Sequence, residues 1–547
     1  MSFKPKPPRS LPTELAELGT KLLTPSSPYR LVGEQLYEQY DEADFVDWYC
    51  AEGKPALSPV LLAFVTAFQY LEGLSDREAT EAVRVRLDWK YALHLPLDYL
   101  GFNFSVLSEF RDRVIAHNSE ARVFDCLLEH LQKLGLIKQR GRQRTDSLAV
   151  LTKVRDLNRL ELGCETLRLA VRALLEADPT WARSTVPLTW EERYGERCVA
   201  ARLKEDQRPI LEQEVGSDGQ WLLDRLQAET TPALLRDLPP VQVLRTVWSQ
   251  QFERVEGKMV YRAAGPYDGT AQIQTPHDPE ARYSKKRETG WVGDKLQVTE
   301  TDDEAYPHLI TDIATTSSVK ADSTELKEIQ TRLKTRGFLP GEQLVDAGYM
   351  SGPNLKHSQD LGVDLIGPVQ GGQSPQARIP NGITHDQFRL DRELNVITCP
   401  SGQASKPGRP HGSIGTQYRF EDKTCTDCSV RSRCCVGPKG RTINLSPDHE
   451  LLSAARARQD TDGFKSLYRR HRCGVEGCLS VVARKHGLRM KRYIGQRKGH
   501  LQALFTGVAV DLRRAASWLA KQRPQIRRKG LGLVLNSPFV EYAGSTA

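Results

Sequence analysis

The sequence lacks long apolar runs. The longest extends from Val60 to Leu71, and it is too short and too interrupted by polar residues to cross a bilayer. The first twelve residues, MSFKPKPPRSLP, contain no apolar core of the kind found in signal peptides. These two absences argue against a membrane anchor and an export signal, and we expect a soluble protein of the cytoplasm.

Two common catalytic motifs are also missing. The chain has no GxxxxGK[ST] phosphate-binding loop, so we expect no nucleotide cofactor. It has no HExxH motif, and His277, His308 and His500 are too far apart in the sequence to suggest a metal site. No stretch of 20 to 50 residues repeats, which argues against a solenoid or propeller.

The eleven cysteines divide into two groups. Six are scattered through segments with helical patterns, which is typical of reduced thiols in a cytosolic protein: Cys50, Cys126, Cys164, Cys198, Cys473 and Cys478. The other five form a cluster: Cys399, Cys425, Cys428, Cys434 and Cys435.

The cysteine cluster has the spacing of a structural zinc site. Cys425 and Cys428 form a CxxC turn that can present two thiolates to one Zn²⁺, and Cys399 with Cys434 or Cys435 could complete a tetrahedral set. Four protein thiolates leave no open position, which argues against catalytic zinc. The alternative is a loop of thiols without metal.

Acidic residues are scarce near the C-terminal end. The chain carries a net charge of +8, but between Tyr468 and Lys529 seventeen Lys and Arg residues face only Glu476 and Asp511. Tyr468, Arg472 and Glu476 are spaced by four residues, so a helix places them on one face. A single carboxylate among so many cations indicates a function, although any one of the basic residues could simply be solvated.

The N-terminal part has a helical pattern. We interpret residues 1–27 as a flexible arm and residues 28–135 as a helical domain. Ser58-Pro59 and the Ser75 to Glu78 capping box mark two helix starts. Short helices with exposed arginines are typical of DNA-binding domains related to the helix-turn-helix, but an oligomerisation or scaffold domain explains this pattern about as well.

The rest of the chain predicts an α/β core with two insertions. We assign the core to residues 140–370 and 452–522, a helical insertion to about 157–255, a β-rich cysteine insertion to 371–451 and a basic tail to 523–547. Residues 291–299 and 308–315 predict a hairpin of two strands. Asp346 follows another strand at its carboxyl end, where open α/β sheets place their chemistry.

Three acidic residues fall where such a core could bring them together. Asp146 lies on the first strand, Asp346 follows the fourth, and Glu476 lies on the helix after the sheet. Two divalent cations need several carboxylates from different elements, because Mg²⁺ prefers hard oxygen ligands. Taken singly, each of these acids could equally be a solvated or salt-bridged carboxylate.

Several segments carry a resemblance to a known family. RTDSLAVLTKVRDLNRLE around Asp146, VDAGYMS around Asp346, and the Tyr468, Arg472 and Glu476 stripe followed by HGLRMKRYIGQRKGHLQALFTGVAVDLRR are similar to DDE insertion-sequence transposases. FNFSVLSEFRDRV, TPHDPEARYSKK and GDKLQVTE extend the resemblance over most of the chain. It implies an RNase H-like catalytic core with a mixed sheet, a helical N-terminal domain, a helical insertion and a small cysteine-rich β insertion.

The resemblance also implies roles for individual residues. Asp146, Asp346 and Glu476 would bind Mg²⁺ or Mn²⁺, and Tyr468 and Arg472 would contact DNA near the cleaved phosphate. This sequence departs from the family pattern in two places. The family commonly has Asp-Ser-Thr where this chain has Asp146-Ser147-Leu148, so leucine replaces threonine. Ala483 replaces a lysine that usually follows the glutamate by about seven residues.

We therefore expect an enzyme that cleaves the ends of its own mobile element and joins the 3′-hydroxyls to target DNA. The partners implied are the terminal repeats and target, both double-stranded DNA, and at least a second copy of the chain in the synaptic complex. The resemblance implies a bacterial protein that associates with the nucleoid when bound to DNA. The candidate DNA contacts are Tyr468, Arg472, Arg484, Lys485, Arg489, Arg492, Lys498, Arg111 and Arg113.

Two alternatives stay open from the sequence. One is a DNA-binding protein that descends from such an enzyme and is catalytically inactive. The other is a metal-dependent nuclease that cleaves DNA without joining it.

Overall fold

The computed structural model describes residues 1–154, 157–263, 272–286, 288–370, 375–412 and 415–535, with the side chains of the last helix described to residue 522. The N-terminal part is helical. Its helices are α1 (Thr13–Leu22), α2 (Pro28–Leu31), α3 (Pro59–Glu72), α4 (Asp76–Val85), α5 (Leu87–Ala92), α6 (Ser105–Ala116) and α7 (Arg122–Lys133).

Local capping explains where two of these helices begin. The Ser58 side chain accepts a hydrogen bond from the backbone of Leu61 at 3.2 Å, and Pro59 occupies the first turn of α3. Ser75 and Glu78 form the expected reciprocal capping box at the start of α4. Both predicted helix starts are confirmed.

The prediction of a flexible arm over residues 1–27 was wrong. Helix α1 buries Leu15 at 1% exposure and places Gly19 directly against the ring of Tyr91 in α5. Ser2 also forms bridges to Cys50 and Pro55. The segment has few apolar residues, but they are enough to hold it in place because they pack against helices that come later in the chain.

Strand β1 (Arg142–Leu151) leads into the helical insertion, which has a hydrophobic core of its own that includes Leu167, Val215, Trp248 and Phe252. Its elements are α8 (Arg159–Ala177), α9 (Pro179–Thr185), α10 (Trp190–Tyr194), α11 (Gln207–Gln227), α12 (Ala233–Arg236), α13 (Pro239–Gln251), β2 (Phe252–Val255) and β3 (Lys258–Tyr261).

A six-stranded mixed sheet forms the centre of the molecule, as the α/β prediction required. Its strands run in the order β4-β5-β1-β7-β8, with β6 paired to β5. The predicted hairpin is β5 and β6, which pair antiparallel, whereas β1, β7 and β8 are parallel. After β3 the elements are β4 (Arg282–Lys286), β5 (Thr289–Thr301), β6 (Ile310–Ser317), α14 (Asp322–Thr335), β7 (Glu342–Leu344), α15 (Gly352–Asp360) and β8 (Asp364–Ile366).

A small β-rich module follows the sheet, and its core includes Ile397, Phe420 and Ile443. Its elements are β9 (Arg389–Asp391), β10 (Val396–Thr398), β11 (Arg409–His411), β12 (Gly415–Arg419), α16 (Asp422–Thr426), α17 (Arg431–Cys434) and β13 (Thr442–Leu445). Three helices complete the described chain: α18 (His449–Gln459), α19 (Asp462–Ser480) and α20 (Gln496–Leu535).

Helix α20 joins the N-terminal helices to the sheet. The ring of Phe505 in α20 stacks on the ring of Tyr70 in α3, with 6.2 Å between the ring centroids. A β-carbon at Gly507 would lie 2.6 Å from Ile313 of β6 and 3.1 Å from Phe124 of α7, so all three elements meet there. A single hydrophobic core therefore runs from the N-terminal helices into the sheet.

Among the described residues, none of the helices combines the length and apolar character that a membrane span requires. The side chains of the basic tail, 523–547, lie outside the described residues.

Candidate active site

The register of two parallel strands brings Asp146 and Asp346 to the same edge of the sheet. Strands β1 and β7 pair with Arg142 opposite Glu342 and Arg144 opposite Leu344. Each aspartate comes two residues after the last of these pairs, so both lie at the carboxyl end of β7. Open sheets place their reactive groups at this edge.

Asp146 is fixed from two sides. Its Oδ1 accepts a hydrogen bond from the backbone N–H of Ser147 at 2.7 Å, and its Oδ2 forms an ion pair with Nη2 of Arg472 at 2.7 Å. Burial alone lowers the pKa of Arg472, but the charge of Asp146 and this hydrogen bond outweigh it, so the pKa is raised. Nε and Nη1 of the same guanidinium are buried and have no hydrogen-bond partner among the described residues.

Asp346 occupies a tight turn. Its Oδ1 accepts a hydrogen bond from the backbone N–H of Gly348 at 2.8 Å. Burial, and after it the charges of Asp146 and Asp322, raise the pKa of Asp346, while the Gly348 bond opposes the shift. A β-carbon at Gly348 would lie 2.9 Å from Asp346 Oδ1, so this glycine keeps the space beside the carboxylate open.

Helix α19 crosses this edge of the sheet. Two residues of its Tyr468, Arg472 and Glu476 stripe, Tyr468 and Arg472, contact the sheet edge there. The Tyr468 hydroxyl donates to the carbonyl of Val345 at 3.1 Å, and Arg472 reaches Asp146 one turn later. Glu476 follows after another turn on the same face, is exposed, and makes no hydrogen bond or ion pair with any described residue. The structure thus brings two of the three predicted acids to one edge of the sheet and places the third one helical turn after Arg472, without a partner among the described residues.

A buried arginine fixes the position of α19. Arg144 of β1 donates to Glu300 at 2.7 Å, to Asp302 at 2.6 Å and to the carbonyl of His471 at 2.8 Å. Its guanidinium fills the space where a β-carbon of Gly474 would stand. The absence of a side chain at Gly474 is therefore what lets the helix approach the sheet.

A further carboxylate lies beside the pair. Asp322, the first residue of α14, accepts hydrogen bonds from Ser147 Oγ at 3.3 Å and from Gln297 Nε2 at 3.0 Å. Its other neighbour is Lys295, whose Nζ lies 3.1 Å from Oδ1. Sequence reasoning missed Asp322, because nothing in its local sequence distinguishes it from an ordinary helix-start acid.

Two segments of the chain match models of known families. Residues 398–516 match the model described as Transposase DDE domain, and residues 19–113 match the model described as Transposase domain (DUF772). The first match includes α19 with Glu476, and the second covers α2 to α5 completely. No curated protein and no solved structure matches the chain.

Together these two matches cover less than half of the chain, and they support an insertion-sequence DDE transposase. Members of this family act on DNA in transposition and recombination, usually with divalent metal ions.

The transposase does not expose all of its candidate DNA contacts. The prediction for Arg111 was wrong: the side chain is buried and forms a two-pronged ion pair with Asp76 at 2.6 and 3.0 Å. Arg492 donates to the carbonyl of Leu74 at 2.7 Å and covers the ring of Tyr70. Arg111 also lies over the ring of Tyr493, so both guanidinium groups connect the N-terminal helices with the C-terminal segment.

The remaining candidates lie at or near the surface of the transposase. Arg484 and Lys485 are exposed in the π-helix Val481–Lys485 that continues α19. Arg489 is exposed and donates to the carbonyl of Ala149 at 3.1 Å. Lys498 forms an exposed ion pair with Asp112 at 2.8 Å. Arg113 is half-buried over the ring of Tyr49.

A wide groove opens behind α19, on the side away from the aspartates. Lys485, Arg513 and Lys521 line it together with Trp518, and the acidic side chains of Asp302 and Glu304 line it as well. Burial, and then the charge of Arg513, lowers the pKa of Lys485, and Nε of Arg513 is buried without a partner among the described residues.

All five clustered cysteines line one small pocket in the β-rich module. Two sulfurs accept backbone N–H bonds at 3.4 Å, Cys399 from Gln403 and Cys425 from Arg441. Such bonds favour the thiolate, which is the form that binds zinc. Burial raises the pKa of Cys425, Cys434 and Cys435 in the metal-free protein.

The transposase has one compact histidine cluster, which the sequence did not indicate. In the described part of the chain, a single group of three or more His, Cys, Asp or Glu side chains has all its ligand atoms within 4.8 Å of one another: His385, Asp386 and His449. Arg456 lies 2.6 Å from Asp386 and neutralises it. The cluster therefore connects the β-rich module to α18. Among the described residues, the ligand atoms of the clustered cysteines do not all lie within 4.8 Å of one another.

Proposed function

We propose that this transposase hydrolyses DNA at the ends of its own mobile element and then joins each freed 3′-hydroxyl to target DNA. Asp146, Asp346 and Glu476 are the proposed ligands of two divalent cations. The observation that carries the proposal is the parallel register of β1 and β7, which sets Asp146 and Asp346 side by side at the carboxyl edge of the sheet.

The donor set suits magnesium or manganese. Carboxylate oxygens are the ligands that these hard cations prefer, and the open space beside Gly348 leaves room next to Asp346. Divalent cations held by these carboxylates would activate the oxygen nucleophile and stabilise the leaving oxygen. Glu476 is exposed on the facing helix and has no competing partner among the described residues.

Arg472 has two states in this proposal. Without DNA its guanidinium neutralises Asp146 and so reduces the repulsion between the two aspartates. With DNA bound, the same guanidinium would bind a phosphate near the scissile bond through its Nε and Nη1 groups, which lack partners among the described residues. Tyr468 would lie alongside the same strand of DNA.

Other parts of the chain are assigned to DNA binding and to support. The N-terminal helices would read the terminal repeats, and Arg484, Lys485, Arg489 and Lys498 would bind phosphates. The cysteine pocket would hold structural zinc, and two copies of the chain would hold the two ends. Residue Arg111 is excluded from this set by its burial.

The test of the site is cleavage of DNA that carries the flanking repeats of the element. Wild type should cut it in a manner that depends on divalent cations, and Asp346→Ala and Glu476→Gln should each lower the rate by at least about a thousandfold. Unchanged cleavage by either variant would refute the assignment of that residue. Binding without any cation-dependent cleavage by wild type would favour the inactive DNA-binding protein.

Strand joining is tested separately with a pre-cut end. A transposase should transfer its 3′-hydroxyl to a target plasmid, whereas a simple nuclease should cut the longer substrate and leave the pre-cut end unjoined.

A further inference from the structure

Asp322 and Lys295 form a charge pair next to the proposed catalytic aspartates. Both side chains are largely buried, with 16% and 15% of their surface exposed, and their charged atoms lie 3.1 Å apart. Lys295 Nζ also donates to the carbonyl of Lys320 at 2.8 Å. The pair is thus anchored at both ends and cannot turn freely toward solvent.

Two contacts connect Asp322 to the catalytic pair. Its Oδ2 accepts from the hydroxyl of Ser147, whose backbone N–H in turn holds Asp146. On the other side, a β-carbon at Gly348 would lie 3.5 Å from Asp322 Oδ2 and 2.9 Å from Asp346 Oδ1. Asp322 therefore stands close to both aspartates without contacting either one directly.

A purely structural salt bridge does not need this location. Asp322 already has hydrogen bonds from Gln297 and Ser147 and sits at the start of α14, where a carboxylate is favourable. What the location adds is a negative charge close to a cation site, at a distance where the interaction in partly buried surroundings is worth tenfold or more in affinity. The ammonium of Lys295 cancels part of that charge.

We propose that Asp322 and Lys295 set the affinity of the Asp146 and Asp346 pair for divalent cations, Asp322 as a positioning residue that strengthens binding and Lys295 as a counter-charge that limits it. The proposal rests on the proposed function, since it assumes that the two aspartates bind cations. It requires no direct bond between Asp322 and the ion. It also makes opposite predictions for the two members of one salt bridge.

The test is Mn²⁺ binding to the full-length protein without DNA, measured by electron paramagnetic resonance of free Mn²⁺. Asp322→Asn keeps the shape and much of the hydrogen bonding, and it should weaken Mn²⁺ binding about tenfold. Lys295→Met should tighten binding by a factor of a few. Glu328→Gln is the matched control, because it removes the same charge from the exposed face of the same helix and should leave binding unchanged.

Asp346→Ala separates failure of this inference from failure of the proposed function. If Asp346→Ala loses Mn²⁺ binding while Asp322→Asn and Lys295→Met both bind as wild type does, the cation site stands and the inference is overturned. If Asp346→Ala binds as wild type does, the proposed site itself is refuted, and the inference falls with it. Thermal unfolding of each variant checks folding: equal losses of stability in Asp322→Asn and Lys295→Met with unchanged Mn²⁺ affinity would identify a structural bridge and overturn the proposal.

Discussion

Asp346 couples the stability of the metal-free protein to pH. Burial raises its pKa, so the folded state holds the proton more tightly than the unfolded chain does. This preference stabilises the folded state at pH values below the ordinary pKa of aspartate. The stabilisation is lost as the pH rises through the raised pKa. Above the raised pKa the folded protein carries an unfavourable buried charge at Asp346.

Asp346→Asn should remove this penalty. In the presence of a chelator, we expect the variant to unfold a few degrees above wild type at neutral pH, and at the same temperature as wild type at acidic pH where Asp346 is protonated. Thermal unfolding across a pH series measures the difference. A variant that is no more stable than wild type at neutral pH would contradict the expectation.

Arg111 shows how a residue chosen for DNA binding can be structural. Arg111→Ala would leave Asp76 partly buried without its ion pair, so we expect the free energy of unfolding to fall by roughly 2–4 kcal/mol. Denaturant unfolding measures this loss. Arg113→Ala should cost only about 0.5–1 kcal/mol through the lost contact with Tyr49. A loss of DNA affinity in Arg111→Ala without loss of stability would restore it as a DNA contact.

At the scale of elements, the position of α19 decides whether Arg472 and Glu476 face the aspartates. That position depends on the close approach of Gly474 to the anchored guanidinium of Arg144. A methyl group at Gly474 must displace either the arginine or the helix. Displacement of the helix would carry the whole functional stripe away from the sheet edge.

Gly474→Ala should therefore lower the DNA cleavage rate by about 10- to 100-fold, although its side chain touches no substrate. Gly477→Ala is the matched control, because an added β-carbon there meets no heavy atom within 4 Å, and cleavage should stay within about twofold of wild type. Equal rates for the two variants would show that α19 tolerates the displacement.

The β-rich module is a second element whose stability is in question, because its own hydrophobic core is small. If zinc stabilises it, Cys425→Ser should remove the bound zinc and make residues 375–451 sensitive to protease, while the sheet stays resistant. Metal analysis and limited proteolysis measure both effects. A wild-type protein that contains no zinc and resists protease would refute the structural-zinc assignment.

At the scale of the whole molecule, the boundary expected between the N-terminal helical domain and the α/β core does not separate two independent units. The N-terminal helices share one hydrophobic core with β6 and α20. Tyr70 of α3 and Phe124 of α7 are buried at 1% and 0% exposure, and their partners come from the C-terminal end of the chain.

A fragment of residues 1–135 should therefore not unfold cooperatively, whereas residues 1–522 should. Circular dichroism during heating distinguishes the two results. A cooperative transition in the short fragment would show that the N-terminal helices fold without α20.

Much of the fold and part of the site were predictable, for physical reasons that differ between residues. Asp146 and Asp346 lie in local motifs next to strands, and the capping residues of α3 and α4 act within four positions of the sequence. The role of Asp322 was hidden, since its approach to Ser147 depends on how α14 packs on the sheet. The burial of Arg111 likewise depends on Asp76, a residue 35 positions away.

The shared core along α20 fixes the distance between the N-terminal helices and the edge of the sheet. A protein in which the end-binding helices hung on a flexible linker could cut at a range of distances from the sequence it recognises. Here α3, α7 and the sheet are packed into one rigid block by Phe505 and Gly507. If the N-terminal helices bind the terminal repeats as proposed, this packing fixes the spacing between a bound repeat and the cut site, and the spacing should be the same at both ends of the element.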